Sequence, residues 1–163
     1  MSKTTYECLM AAFAGESQAN RKYTAFARKA EAEGKMNAAK LFKLAAEAET
    51  LHALKEFEVA GHIKSTAENL QTGIEGETYE LSEMYPEFEE IAKAEGNKAA
   101  EIAFRWAKLA EVSHAEMYKD AFAHLDETEE VFYYYCPVCG KIEKSRPEKC
   151  DICNLDGSKF LKV

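Results

Sequence analysis

Residues 45–62 read AAEAETLHALKEFEVAGH, and residues 107–124 read AKLAEVSHAEMYKDAFAH. In both, small and apolar residues recur every three or four positions, the period of an amphipathic helix. Each also holds a Glu-x-x-His pair, Glu49 with His52 and Glu111 with His114, 62 residues apart. Three residues advance about 300° around a helix, so each carboxylate shares a face with its imidazole. The repeat extends outward from these pairs. Tyr23, Phe26, Gly34 and Phe42 recur at the same offset as Tyr85, Phe88, Gly96 and Phe104, whereas Thr4, Glu7, Leu9, Gly15 and Glu16 recur 61 residues later as Ser65, Glu68, Leu70, Gly76 and Glu77. Two helical hairpins of common pattern, related by a pseudo-twofold axis, follow from this self-similarity. The change of offset leaves one extra residue near Glu80, and an insertion inside a continuing helix predicts a π-bulge there.

Helix signals bracket four segments. Thr4-x-x-Glu7 and Ser65-x-x-Glu68 read as capping boxes, Gly34 and Gly96 as C-terminal stops, and Asn37 and Asn97 as N-caps. Helices are predicted near 5–33, 37–62, 66–95 and 98–126, each about 35 to 45 Å long. That length suits an all-α four-helix bundle with a long crossover between the second and third helices. Pro86 should bend the third. The 163 residues suffice for one ordinary core plus a small appendage. Residues 1–130 carry 25 acidic and 15 basic side chains and residues 131–163 carry 4 and 6, so a domain boundary is expected near 130. The net charge of −8 repels phosphate backbones and anionic lipid, which excludes nucleic acid as a partner. No apolar run approaches the roughly 18 residues of a membrane span, and Met1-Ser2-Lys3 opens no signal peptide, so a soluble cytoplasmic protein is expected.

The inward stripes carry acids. Leu9, Ala12, Glu16, Ala19 and Tyr23 define one in the first helix, and Leu41, Ala45, Ala48 and His52 another in the second, with Glu49 beside it. Leu70, Ile74, Glu77, Leu81, Met84 and Phe88 form the third; Ala103, Ala107, Ala110, His114, Tyr118, Ala121 and Leu125, with Glu111, form the fourth. Unpaired buried carboxylates cost several kcal/mol each, and converging ones repel one another. No Lys or Arg lies at that layer of the stripes. Two divalent cations would reduce the −5 of Glu16, Glu49, Glu77, Glu80 and Glu111 to −1, with His52 and His114 as neutral ligands. Mixed oxygen and imidazole donors suit iron, manganese or zinc, of which the first two offer redox chemistry.

The tail holds Cys136-Pro-Val-Cys139-Gly and Cys150-Asp-Ile-Cys153. Two CxxC turns aim four sulfurs at one tetrahedral site, and so short a segment depends on its metal for stability. Zinc would make it a structural ribbon; iron would make it a one-electron carrier. Phe132–Tyr135 is expected to form the strand that covers it. Cys8 reads as a buried small residue or an incidental thiol, and Trp106 as core. His62 and His124 repeat each other near helix C-termini, where an imidazolium complements the dipole.

Over essentially its whole length the chain resembles the rubrerythrins, a family with a ferritin-like four-helix domain followed by a small rubredoxin-like β-type domain. Glu16, Glu49-x-x-His52, Glu77-x-x-Glu80 and Glu111-x-x-His114 match its di-iron ligand pattern in order, and the CxxCG and CxxC pairs match its iron site. The resemblance implies two irons held by carboxylates and histidines and one held by Cys136, Cys139, Cys150 and Cys153. It implies a peroxidase that reduces hydrogen peroxide to water, with electrons from a reduced pyridine nucleotide through a redox protein donor such as a rubredoxin or its reductase. Glu80 would exchange with His52 as iron ligand, Tyr23 and Tyr85 match the tyrosines beside the centre, and a homodimer is implied in which one chain's tail serves the other's di-iron site. Lys141 and Asp151 depart from the family pattern, where an aromatic and a proline are usual. The alternatives are iron oxidation and storage, or a zinc-ribbon interaction module on a structural bundle.

Overall fold

The structure, a computed structural model, describes residues 3–163. Met1 and Ser2, on which the reading of the N-terminus partly rests, lie outside the described residues. The chain forms two compact units that divide between Lys64 and Ser65. Among the described residues no helix is long and apolar enough to cross a membrane.

The first unit is a hairpin of α1 (Thr5–Ala32) and α2 (Met36–Val59). Thr4 and Glu7 close the expected capping box: the hydroxyl accepts from the Glu7 N–H at 3.2 Å, and the Glu7 carboxylate accepts from the Thr4 N–H at 2.7 Å. The helices meet through alanine. Ala27, Ala30, Ala39, Ala46 and Ala53 are buried, and such small contacts let the axes approach closely. The buried Asn20 amide ties the pair, donating to the Ala46 carbonyl at 2.6 Å and the Thr50 hydroxyl at 2.7 Å. Phe13 stacks on Phe57 with centroids 4.6 Å apart.

Two boundaries differ from the sequence reading. Asn37 is not the cap of α2, because Lys35 occupies that position without a side-chain bond and the helix begins at Met36. Helix α2 also stops at Val59, short of His62. Gly61, at φ +80°, turns the chain into the left-handed region, its N–H donating to the Glu58 carbonyl and that of His62 to the Phe57 carbonyl.

The second unit contains α3 (Thr66–Tyr79), a π-helical turn (Glu80–Met84), α4 (Tyr85–Ala94) and α5 (Lys98–Ala123). The extra residue is absorbed where expected: the Tyr85 N–H reaches back to the Glu80 carbonyl, one residue farther than in an α-helix. Pro86 falls in the first turn of α4, where its missing N–H costs least. Ser65 and Glu68 form the second capping box, and the Asn97 side chain caps α5 by accepting from the Ala100 N–H at 3.1 Å. Helix α5 ends at Ala123, three residues before the expected end. On its stripe Ala110 is buried and His114 half-buried, while Ala103, Tyr118 and Leu125 are exposed.

The tail is a three-stranded antiparallel sheet of β1 (Tyr134–Tyr135), β2 (Ile142–Glu143) and β3 (Leu161–Lys162), in the order β2-β1-β3. Its first strand is shorter than the expected Phe132–Tyr135. What covers the cysteines is Phe160, buried against Cys136 and Cys150 with Tyr134, Ile152 and Leu155 around them. Gly157 is required by space: a Cβ there would lie 1.7 Å from the Pro147 carbonyl oxygen. Cys8 is exposed, contrary to its reading as a buried residue, and Trp106 is half-buried.

Candidate metal centres

Each hairpin gathers three of the expected donors. In the first, one ligand atom each from Glu16, Glu49 and His52 lie within 4.8 Å of one another; in the second, Glu77, Glu111 and His114 do the same. Helical spacing explains both sets, since the Glu-x-x-His pair comes from one helix and the third carboxylate from the facing helix of the same hairpin. The aromatic layers repeat as well. Tyr23 to Phe26 and Tyr85 to Phe88 are both 6.4 Å between centroids, and Phe26 to Phe42 and Phe88 to Phe104 are both 5.5 Å.

The electrostatics of both clusters are those of carboxylates lacking a counter-charge. A hydrogen bond with Glu49, then burial and the charges of Glu49 and Glu56, raises the Glu16 carboxyl above its usual range. Glu111 is 8% exposed. Burial and a hydrogen bond with Glu77 push it up to about 7. Acids that share protons in this way are acids a cation could bind by displacing the proton. Glu56, not singled out in the sequence, adds a buried Oε2 with no hydrogen-bond partner. It lies four residues after His52, and this spacing could have flagged it. The donor set therefore fits a pair of cations.

The histidines differ. His52 Nδ1 lies 3.0 Å from Glu49 Oε2, and the side chain is 60% exposed. His114 Nδ1 lies 2.6 Å from Glu111 and 3.5 Å from Glu77, while Nε2 lies 2.9 Å from the Gly140 carbonyl oxygen. A carbonyl only accepts, so Nε2 carries the hydrogen and the Nδ1 side faces the carboxylates as the ligand atom. Burial pulls the His114 pKa down, but the Gly140 carbonyl and the charges of Glu111 and Glu77 outweigh it and leave it raised. Glu80, on the π turn, is raised by burial and then by the charge of Glu77. Tyr85 is raised by burial and by Glu80.

In the tail, Sγ of Cys136 lies 3.5 Å from that of Cys153, as does Sγ of Cys139 from that of Cys150, and all four fall within 4.8 Å of one another. Sulfurs about 2.3 Å from a central metal in tetrahedral array would be about 3.7 Å apart, so the cage fits a metal and no disulfide. Backbone N–H groups of Cys139 and Val138 overcome burial to lower the Cys136 thiol, whereas burial raises Cys139. The two departures from the family pattern prove to be partners: Lys141 Nζ donates to both Asp151 oxygens at 2.8 Å and meets Glu143 at 2.7 Å. The tail docks on α5 of its own chain. Gly140 meets His114, the Ile142 N–H donates to Ser113 Oγ at 3.1 Å, and Lys144 pairs with Asp120.

The sequence profile of the family described as Rubrerythrin matches residues 7–122. Nigerythrin of Nitratidesulfovibrio vulgaris is 41% identical over 165 residues, covering 92% of this chain and 82% of that protein. Rubrerythrin of Porphyromonas gingivalis is 38% identical over 173 residues, covering 93% and 86%. A solved structure of nigerythrin in its fully reduced, all-ferrous state superposes with a TM-score of 0.61 at 38% identity, covering all of this chain and 88% of that one.

Proposed function

From the premise that this chain belongs to the rubrerythrin family, di-iron proteins of oxidative-stress chemistry, we propose that it is a peroxidase that reduces hydrogen peroxide to water. The family holds a carboxylate-histidine di-iron centre and a cysteine-ligated iron, and the donors for both are present here. We take residues 1–130 as the di-iron domain and 131–163 as the electron-transfer domain. Glu16, Glu49, His52, Glu77, Glu80, Glu111 and His114 hold the iron pair, and Cys136, Cys139, Cys150 and Cys153 hold the single iron.

The observation that carries the reading is His114. One ring nitrogen faces the carboxylates, and the other donates to the carbonyl of Gly140, the residue after Cys139. A storage protein has no use for a one-electron carrier bonded to its ligand set. Bound iron would supply two electrons per peroxide at one centre and pass them singly at the other. The protein supplies the protons: reduction of peroxide to two waters takes up two electrons and two protons. Burial and the charge of Glu77 raise the Glu80 carboxyl above its usual range, so it takes up a proton more readily than an ordinary carboxylate, which suits it to relay one when it is released from the metal. Tyr85, whose hydroxyl is raised by burial and by the charge of Glu80, would serve there as a hydrogen-bond donor, and Tyr23 occupies the matching place in the first hairpin. His114 holds its Nε2 proton on Gly140 throughout, which fixes the ring. A redox protein reduced by a pyridine nucleotide refills the tail.

The test is stopped-flow oxidation of the anaerobically reduced, iron-loaded protein by peroxide and by dioxygen. Peroxide should react much the faster, and nicotinamide consumption should follow peroxide when a rubredoxin reductase is added. Faster oxidation by dioxygen would overturn this reading in favour of iron oxidation.

A further inference from the structure

The cysteine cage is built from one turn used twice, and one flank of it breaks the repeat. We infer that Lys141, held to Asp151 across the two CxxC turns, is a positioning residue that sets the reduction potential of the tail iron by stabilising its reduced form. The inference rests on the reading of the tail as an iron-holding electron carrier and deepens it.

The repeat lies in the backbone. In the first turn the Gly140 N–H donates to the Cys136 carbonyl at 2.9 Å, with Gly140 at φ +85°; in the second the Asn154 N–H donates to the Cys150 carbonyl at 2.9 Å, with Asn154 at φ +64°. The residue after each of these grips its turn at both ends. The Lys141 carbonyl accepts from the Cys136 N–H at 2.8 Å, and the Lys141 N–H bonds the Cys139 sulfur. The Leu155 carbonyl accepts from the Cys150 N–H at 2.8 Å, and the Leu155 N–H bonds the Cys153 sulfur. Lys141 and Leu155 are therefore equivalent by position, as are Pro137 and Asp151, the second residues of the two turns.

The side chains abandon that equivalence. Leu155 packs against the buried cluster of Cys136, Cys150 and Phe160, and Pro137 carries no charge. Lys141 instead reaches across to the other turn, donating to both Asp151 oxygens at 2.8 Å and meeting Glu143 at 2.7 Å. One flank of the cage is thus uncharged, and the other carries a fixed ammonium. Stability is a poor reason for the pair, because the Asp151 side chain is 69% exposed and so wet a pair contributes little. The Lys141 side chain is 17% exposed, so its field is screened less than that of the carboxylate it holds.

A field at this place acts on the electron. Four thiolates and a ferric iron carry −1, and one electron, taken up without a proton, makes the ferrous cage −2. Net charge and hydrogen bonds to the sulfurs set the potential of such sites. A cation whose own N–H bonds one of those sulfurs favours the more negative, reduced state, and two carboxylates keep it there. Asp151, inside the second turn, acts in the opposite sense. Between the pair and α5 lies a cleft of about 270 Å³ lined also by Leu109, Val112, Ser113 and Glu116. Glu116 adds a further carboxylate, which makes the ammonium the counter-charge of that flank.

Redox titration of the iron-loaded full chain, followed by the visible thiolate-to-iron absorption of the ferric tail, tests this. Lys141→Met keeps the stem and deletes the charge. It should cut the ratio of reduced to oxidised iron at a fixed potential by about tenfold, a lowering of about 59 mV for one electron. Asp151→Asn should raise the potential, and Lys141→Arg should return it to the wild-type value. Lys141→Gln, which can still hydrogen-bond Asp151, repeats the measurement if Lys141→Met fails to fold. A clasp that only braced the cage would speed loss of iron to a chelator in Lys141→Met and Asp151→Asn alike, without moving their potentials in opposite directions. Potentials that stay at the wild-type value, or that shift together, would overturn the inference and leave the carrier reading intact. A loaded wild-type tail that cannot be reduced and reoxidised would overturn the carrier reading and the inference with it.

Discussion

The two hairpins carry the same donors and the same aromatic triads, yet their histidines live in different surroundings. His52 touches its own Glu49 and is largely exposed, whereas His114 is wedged between two carboxylates and the Gly140 carbonyl. The π turn with Glu80 belongs to the second hairpin, and Glu56, with its unpartnered oxygen, belongs to the first. Duplication therefore accounts for the paired donor sets, and the departures from it lie where the proposed reading puts proton and electron delivery, in the second hairpin.

The comparison is broken most severely by removing the tail metal. The tail's buried cluster is Cys136, Cys150 and Phe160, too small to fold without a bound ion. Cys150→Ser should abolish donor-driven turnover, while the pre-reduced protein still consumes peroxide once and the helical circular dichroism persists. Loss of that single turnover as well would mean that the second hairpin needs the tail for its shape and not only for electrons.

Next in size is Glu80→Ala, expected to lower peroxide turnover by about 100-fold at full iron loading, the usual worth of a positioned acid. Turnover within twofold of the wild type would remove Glu80 from the proton path.

The metal-free protein offers a pH test that sharpens the symmetry. Glu111 titrates at about 7 when folded, against an ordinary carboxyl value of 4.5, so between these values the folded state binds more protons than the unfolded one. The stability it contributes is present at low pH and disappears as pH rises through about 7; the raised Glu16 acts in the same sense in the other hairpin. Melting temperature in the presence of chelator should fall from pH 5 to pH 8, and iron should flatten the curve by taking the proton's place. A metal-free melting temperature that climbs over this range would contradict the assignment.

The smallest effect is expected from Ser113→Ala, which deletes the acceptor of the Ile142 N–H and should cost about 1 kcal/mol of tail stability. Hydrogen exchange at Ile142 reports it directly.

Most of the ligand chemistry was legible in the sequence because it is periodic: spacing of three or four along a helix puts Glu49 with His52, and the repeat then finds Glu111 and His114. The π turn was equally legible, since a slip in the repeat is a count of residues. Helix ends were less so. Gly61 was passed over because its counterpart, Ala123, is not glycine and the repeat gave no warning. Contacts between sequence-distant elements left no periodic trace. The Gly140–His114 bond, the Phe160 lid and the Lys141–Asp151 pair all join segments whose spacing carries no rule. Glu56 was missed for another reason, because one more glutamate in an acidic chain stands out only when its oxygen proves to be unpartnered.

The five-residue π turn has a consequence for ancestry. It is the place where the offset between the halves slips from 61 to 62, and beyond it the aromatic triads fall back into step. Excising one residue at Glu80 would let the helix wind evenly from Thr66 to Ala94 and make the halves equivalent. The chain would then approximate a duplicated forerunner able to lodge metal but without the carboxyl group that sets one side apart.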